Sequence, residues 1–467
     1  MKSHVCVLMV TAACLAAGVA QVQADTAAAL AATVEGTDGA LAMLRAKFKT
    51  DLGDQDISEM AICIDESGIF LTLGLNADNV AGELADVQLV FPGTEGKSVK
   101  ATLLGIDPRN NTGFLQAAGG GKFKAIKFAA TAALKTGQVV TSAGLTNPDY
   151  GYAPVYGVAY VSTVFRTPTQ LAVVTGGSLS SAGSPVFNEA GRAIGVVWRN
   201  QLFRAYETLT QTGPVRVMLR QTDECSTFIP CDELVYSFVF PSGQWKRRLP
   251  WVGIKDLVAV SDAIRIDSGF KGAGAVVGTV FPDQPAGKAG LKSGDIVQAI
   301  NGKPLETLPS AEMTARNAWM EIMKLTPGQG QAVKLDVVRS KGEAVSITVP
   351  LEEYPARPVE APRLVDKDRL GLVVREQVLL DKVLRPDNLP PLPPGLVVMF
   401  VVKNKPAYIA SLTPEDVIVK VEGENVRSIA AFKAVMDKLG GGDKPITMVI
   451  NQKGETKTIT LLPGKAP

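Results

Sequence analysis

Ala182-Gly183-Ser184-Pro185-Val186-Phe187-Asn188, continued by Gly191-Arg192-Ala193-Ile194-Gly195-Val196, places two short apolar runs on either side of a turn-forming Asn188 to Gly191 stretch. Apolar runs this short, bounded by Asn, Gly, Ser and Pro, read as strands. Upstream the pattern repeats. Ala61 to Ile64, Ile69 to Leu73, Val87 to Phe91, Val99 to Leu104, Gln138 to Ser142, Tyr156 to Val164 and Leu171 to Thr175 are all apolar runs separated by glycine, asparagine and aspartate. Regular spacing of this kind predicts an all-β barrel or sandwich over residues 60–235. Residues 25–59, alanine-rich and with little aromatic content, are expected to form an N-terminal helical arm.

Downstream, one pattern occurs twice. Trp251-Val252-Gly253-Ile254 is followed by Pro285-Ala286-Gly287-Lys288-Ala289-Gly290-Leu291-Lys292-Ser293-Gly294-Asp295-Ile296-Val297 and Ile300-Asn301-Gly302. Leu370-Gly371-Leu372-Val373 is followed by Lys405-Pro406-Ala407-Tyr408-Ile409-Ala410-Ser411-Leu412-Thr413-Pro414-Glu415-Asp416-Val417 and Val421-Glu422-Gly423. A duplication with a period near 120 residues implies tandem modules, over 248–352 and 367–464. The proline-rich stretch between them, 353–366, is expected to be an extended linker. In the second module Ile429, Phe432, Val435, Met436 and Leu439 recur at helical steps, with Ser428 placed as N-cap and Gly440 as terminator.

At the N-terminus, Lys2, the apolar run Val5 to Ala20 and Val22-Gln23-Ala24 have the layout of a secretory signal peptide over 1–24. No later stretch reaches bilayer length, so the mature chain is expected to be exported and not integral to the membrane. The sequence contains 48 Lys and Arg against 46 Asp and Glu. With no clustered positive field, nucleic acid is not an expected partner. An oxidising compartment makes Cys225 and Cys231, which flank a five-residue segment, a candidate disulfide; two buried thiols are the alternative. The sequence holds a single histidine, His4, within the expected leader. Scattered cysteines without histidine cannot build a zinc site, and neither metal nor cofactor is expected.

The P-A-x-x-A-G-L-x-x-G-D-I run followed by I-N-G resembles the helix, turn and strand of PDZ domains that follow exported bacterial proteases. The resemblance is weaker in the second copy, where Ser411 and Glu415 replace two glycines. It implies that Trp251, Val252, Gly253 and Ile254, and Leu370, Gly371, Leu372 and Val373, stand where the carboxylate-binding loop lies. There, backbone N–H groups would receive a peptide C-terminus while the next strand pairs with the peptide. Lys246, Arg247 and Arg248 precede the first loop and could attract a carboxylate or simply be a solvated face.

Between Met60 and Val197 several landmarks resemble the HtrA (DegP/DegQ-type) branch of the trypsin-like proteases. These are Ser67-Gly68-Ile69-Phe70-Leu71-Thr72, Gly105-Ile106-Asp107-Pro108-Arg109, Lys135-Thr136-Gly137-Gln138-Val139-Val140 and the Ala182 to Val196 segment. The resemblance implies a mainly β fold, a trypsin-like double β-barrel followed by two α+β PDZ domains. Carried over residue by residue, the family's catalytic histidine falls on Leu75, its aspartate on Asn111 and its serine on Ala182. Leucine cannot accept a proton, a neutral amide cannot stabilise an imidazolium, and alanine has no oxygen to attack a carbonyl. Ser180-Ser181 stands where the family has glycine and asparagine, which puts the oxyanion hole in doubt.

The function these expectations describe is an exported HtrA-like pseudoprotease, periplasmic as the family resemblance implies, that binds polypeptide clients or protein C-termini. Active HtrA-type proteases are further candidate partners, and a homo-oligomer is an open option. An active serine endopeptidase of the same family and a PDZ tethering scaffold are the competing readings.

Overall fold

The computed structural model describes residues 26–463 except for 52, 74, 76–81, 94–97, 108–110, 121, 130–133, 166–169, 199–204, 211–212, 219–225, 239–248, 340–341, 384, 387–388 and 441. The expected signal peptide and Lys246 to Arg248 therefore lie outside the described residues. A helix, α1 (26–37), opens the described chain. The first barrel follows: β1 (Leu41–Thr50), β2 (Gly53–Asp65), β3 (Ile69–Leu73), β4 (Gly82–Val90), β5 (Ser98–Asp107) and β6 (Thr112–Ala117). They close in the order β1-β2-β3-β6-β5-β4, sealed by the pairing of β1 with β4.

The expected helical arm is thus only half correct, because helix ends at residue 37 and β1 occupies 41–50. Alternation explains the strand. Leu44, Ala46 and Phe48 point into the barrel, while Arg45, Lys47 and Lys49 intervene at period two. The alanine content of the preceding stretch concealed that pattern.

The second barrel comprises β7 (Val139–Leu145), β8 (Pro154–Phe165), β9 (Leu171–Ser178), β10 (Pro185–Phe187) and β11 (Ala193–Trp198). The hairpin β12 (Ala205–Thr210) and β13 (Gly213–Met218) leaves the barrel, and β14 (Ser226–Pro230) returns to complete it. Its order is β10-β11-β14-β9-β8-β7. Helix α2 (Cys231–Phe238) follows. One apolar cluster joins the barrels, in which Met60, Ile62, Leu71, Leu73 and Phe114 pack with Ala143, Leu145, Phe187, Val196 and Ile229. At about 1.5–3 kcal/mol for each large side chain withdrawn from water, this shared core holds the two barrels face to face. Helix α1 reinforces the pair: Thr33 Oγ1 lies 2.6 Å from Thr141 Oγ1 of β7, and both threonines are buried.

The first C-terminal module contains β15 (Pro250–Trp251), β16 (Leu257–Ala259), α3 (Asp262–Ser268), β17 (Ala275–Val277), α4 (Pro285–Lys288), β18 (Ile296–Ile300), β19 (Lys303–Pro304), α5 (Ala311–Met323), β20 (Ala332–Val338) and β21 (Ala344–Pro350). Its main sheet runs β16-β17-β18-β20-β21, and β22 (Glu352–Glu353) returns to pair with β15. The second module contains β23 (Arg363–Asp366), β24 (Leu372–Glu376), α6 (Leu379–Val383), β25 (Leu396–Val401), α7 (Pro406–Ile409), β26 (Val417–Val421), β27 (Glu424–Asn425), α8 (Ile429–Leu439), β28 (Ile446–Gln452) and β29 (Glu455–Leu461). Helix α8 has its expected cap, with Ser428 Oγ accepting from Ala431 N–H, and Gly440 follows its end. The expected linker is shorter than 353–366, because β23 lies inside it and joins the second module's sheet. Proline content marked the stretch as extended without marking which part of it finds a strand partner. Among the described residues no helix is long and apolar enough to cross a membrane.

Candidate functional site

The residues on which the catalytic resemblance turned lie in the first barrel and in the loop before β10 of the second. Leu75, just after β3, is 2 % exposed and packs into the first barrel's core with its Cδ1 against Gly113 of β6. Gly113 pairs with Thr72, and Thr72 pairs in turn with Ala61 of β2. Next to Ala61 is Met60, which faces the loop before β10: a Cβ added at Gly183 would lie 2.9 Å from Met60 Cβ. A series of strand pairings and contacts thus runs from Leu75 through β6, β3 and β2 to the Ala182-Gly183 turn. Asn111 occupies the β5–β6 turn two residues before Gly113, with φ of 48°, a region asparagine tolerates better than most residues.

Around Ala182 the hydroxyls are consumed locally. Ser180 N–H donates to Ser142 Oγ at 2.8 Å, and Ser142 and Ser180 hydroxyls lie 3.1 Å apart. Ser180 Oγ donates to Val155 O at 3.0 Å. Ser181 and Ser184 hydroxyls are 3.3 Å apart, with Ser184 fully buried. Gly144 permits this closeness, since a Cβ there would meet Ser180, Ser181 and Ser184 together. The side-chain partners of these serines among the described residues are hydroxyls, a backbone N–H and a carbonyl, none of which is a base able to activate a nucleophile. The Ser180 N–H, two residues before Ala182, is taken up by the Ser142 hydroxyl.

Cys231 opens α2 as a free, buried thiol, with Sγ 3.7 Å from Ala193 O of β11, and burial pushes its pKa up to about 12. Cys231 thus has the form of the buried-thiol alternative to the candidate Cys225–Cys231 disulfide. Cys231 is directed into the barrel wall, and Cys225 lies outside the described residues. Cys63 is likewise a free buried thiol, raised to about 11 by burial.

The two expected carboxylate loops have the same local build. Gly253 and Gly371 adopt φ of 82° and 74°, and a Cβ at either would strike the side chain that precedes the next short helix, Gln284 or Lys405. In the first loop Ala286 N–H donates to Val252 O at 2.8 Å and Phe281 N–H to Gly253 O at 3.1 Å. In the second, Ala407 N–H donates to Leu370 O at 2.9 Å and Val402 N–H to Gly371 O at 2.8 Å. Trp251, Val252, Gly253, Ile254, Leu370, Gly371, Leu372 and Val373 are all buried. What such loops can offer a ligand is backbone, because their side chains belong to the module cores.

Known proteins share this arrangement. Residues 60–196 match the trypsin-like peptidase domain family, and residues 258–326 match the PDZ domain family. The periplasmic pH-dependent serine endoprotease DegQ of Escherichia coli (strain K12) is 24 % identical over 422 residues, covering 88 % of this chain and 84 % of the relative. The periplasmic serine endoprotease DegP of Salmonella typhimurium is 24 % identical over 382 residues, covering 79 % and 70 %. Together the two domain matches and the DegP and DegQ relatives support an HtrA-family protein. The solved HtrA-type protease AlgW with decapeptide superposes with a TM-score of 0.51 at 18 % identity, over 70 % of this chain and 99 % of that one, which shows the shared fold.

Within this HtrA-family protein the surroundings of Trp251 were not legible in the sequence. Its indole Nε1 donates to Gln284 Oε1 at 2.8 Å, its ring meets Tyr354 edge-on at 5.5 Å, and Leu380 and Val383 of α6 pack against it. Helix α6 belongs to the second module, so one module covers the loop of the other. The Ser142–Ser180 pairing was equally hidden, since serines 38 residues apart carry no signal of contact.

Proposed function

We propose that this HtrA-family protein is an exported, catalytically degenerate member that holds polypeptides instead of cutting them, in the periplasm, as a chaperone, adaptor or regulatory subunit of envelope protein quality control. The carrying observation is chemical. The sequence has one histidine, His4, inside the segment read as a removable leader, and Leu75, Asn111 and Ala182 stand at the positions to which the resemblance assigns the triad. The Ser180 N–H taken up by the Ser142 hydroxyl and the closed serine network support the same reading, because among the described residues a substitute serine would have no base there. Losing triad members leaves roughly 10³–10⁴ over the uncatalysed rate even with an intact oxyanion hole, too little for useful proteolysis. Periplasmic relatives support the location.

Polypeptide binding is assigned to the PDZ region. Among the described residues strand β16 is the outer strand of its sheet, next to the first loop, and so offers an edge for strand addition.

The test uses secreted full-length protein, a fluorophosphonate probe and an unfolded casein substrate. No covalent labelling and no cleavage are expected, while a fluorescent peptide with a free apolar C-terminus binds at least 10-fold more tightly than its amide. Serine labelling would restore the reading as an active endopeptidase. Equal affinity for acid and amide would remove the carboxylate-loop assignment.

A further inference from the structure

A β-strand has two hydrogen-bonding edges, and in a PDZ groove one of them must remain open for the ligand. In the second module neither edge of β24 is open. β25 pairs along one side and β23 along the other, with Arg363, Leu364, Val365 and Asp366 opposite Arg375, Val374, Val373 and Leu372. β23 is antiparallel to β24, and its C-terminal residue, Asp366, lies against the loop where a peptide's last residue would sit. The Asp366 carboxylate accepts the N–H groups of Leu370 and Arg369 at 2.9 and 3.0 Å. A carboxylate thus already engages the backbone donors at the mouth of this loop. Leu364, two residues earlier and on the same face, packs on the core that contains Ile429, Phe432 and Val435 of α8.

We propose that residues 363–366 are a built-in ligand of the second PDZ module, an intramolecular strand that fills its groove and closes it to peptides in trans. The proposal rests on the reading of these modules as peptide binders and assigns the second a role of its own: it is self-occupied at β24, whereas β16 of the first has a single strand partner among the described residues. The surroundings hold the strand in place. Arg369 donates to the carbonyls of Gly440 and Gly442 beyond α8, closing the groove at the loop end. Glu376 accepts the Ile429 N–H at 2.9 Å, closing it at the other. Arg363, on the opposite face from Leu364, pairs with Asp51 at 2.6 Å, in the turn between β1 and β2 of the first barrel. The occupant is therefore tethered to the protease-like domain, and movement of that domain would free it.

The experiment compares the full chain with L364K and D366A variants, using as probe the free peptide Val-Glu-Ala-Pro-Arg-Leu-Val-Asp, the sequence of residues 359–366, and a scrambled control. Amide hydrogen exchange of 372–376 is followed in parallel. In the wild-type chain β24 amides should be protected and the probe should not protect them further. In L364K they should exchange at least 10-fold faster, and the probe should restore protection with an affinity at least 10-fold above that of the scramble; D366A should show the same direction more weakly. Equal probe affinity at β24 in wild type and variants would overturn self-occupation while leaving peptide binding intact. Faster exchange without any rescue by probe would overturn the second module as a peptide groove, and with it this proposal. Unchanged exchange in both variants would show that β23 does not guard the edge.

Discussion

At the residue scale, burial decides what several side chains do. Leu75 fills space beside Gly113, where an imidazole would leave a polar ring among apolar walls of the first barrel. The thiols behave in the same way. Cys63 and Cys231 are held protonated by burial, well above the ordinary thiol value of 9.0. A pKa higher in the folded than in the unfolded chain means that the unfolded state loses its proton first as pH rises. Stability contributed by these groups is accordingly complete below pH 9 and declines between about 9 and 12. Urea midpoints in reductant should be flat in this respect up to pH 9 and fall above it, and the fall should shrink in the C63A/C231A double variant. Both thiols should resist iodoacetamide at pH 8 in native protein and react fully in urea. Rapid native labelling of either would contradict its burial.

At the scale of elements, the two PDZ-like modules show one geometry carried by different residues. Gly290 and Gly294 have φ of 87° and 90°, and their counterparts Ser411 and Glu415 hold φ of 64° and 76°. The turn that needs these left-handed positions is pinned identically: Asp295 accepts the Lys292 N–H at 3.0 Å, and Asp416 accepts the Thr413 N–H at 2.8 Å. The side chains at 411 and 415 therefore carry a conformational cost of about 1 kcal/mol or more each. S411G and E415G should each stabilise the second module by about 0.5–1 kcal/mol, after allowing for the greater freedom of glycine in the unfolded chain. Thermal unfolding followed by hydrogen exchange in β26 and β28 checks this; a lower melting temperature in both would show that the serine and glutamate make compensating contacts.

At the scale of the whole molecule, the modules are coupled through an apolar patch and a buried ion pair. Arg375 of β24 forms a bidentate pair with Asp381 at 2.6 and 2.7 Å, both side chains being under 10 % exposed. This holds α6 against its own sheet while Leu380 and Val383 reach Trp251 of the first module. Lys255 adds a hydrogen bond to Arg385 O at 3.2 Å. Truncating Leu380 leaves a cavity in that patch and should cost about 2–4 kcal/mol of coupling. L380A should turn one unfolding transition of the PDZ pair into two and speed cleavage after Glu360 by a glutamate-specific protease. Retention of a single transition would show that the patch does not couple them.

Much of this organisation was legible in the sequence because it depends on short-range chemistry. Short apolar runs gave most barrel strands, turn residues separated them, and the repeated P-A motif with its following aspartate located the tandem modules. The helical spacing from Ile429 to Leu439, with Ser428 and Gly440 at its ends, sufficed for α8. The residue identities at 75, 111 and 182 were likewise available without coordinates, since a side chain's capacity to take a proton or attack a carbonyl is a property of its own atoms. Long-range pairing decided the rest. Only the folded chain shows Ser180 turned towards Ser142, Cys231 directed at Ala193, Trp251 covered by α6, and residues 363–366 lying on β24. Each of these depends on which distant edges and faces meet, and neither local propensity nor hydrophobic period carries that information.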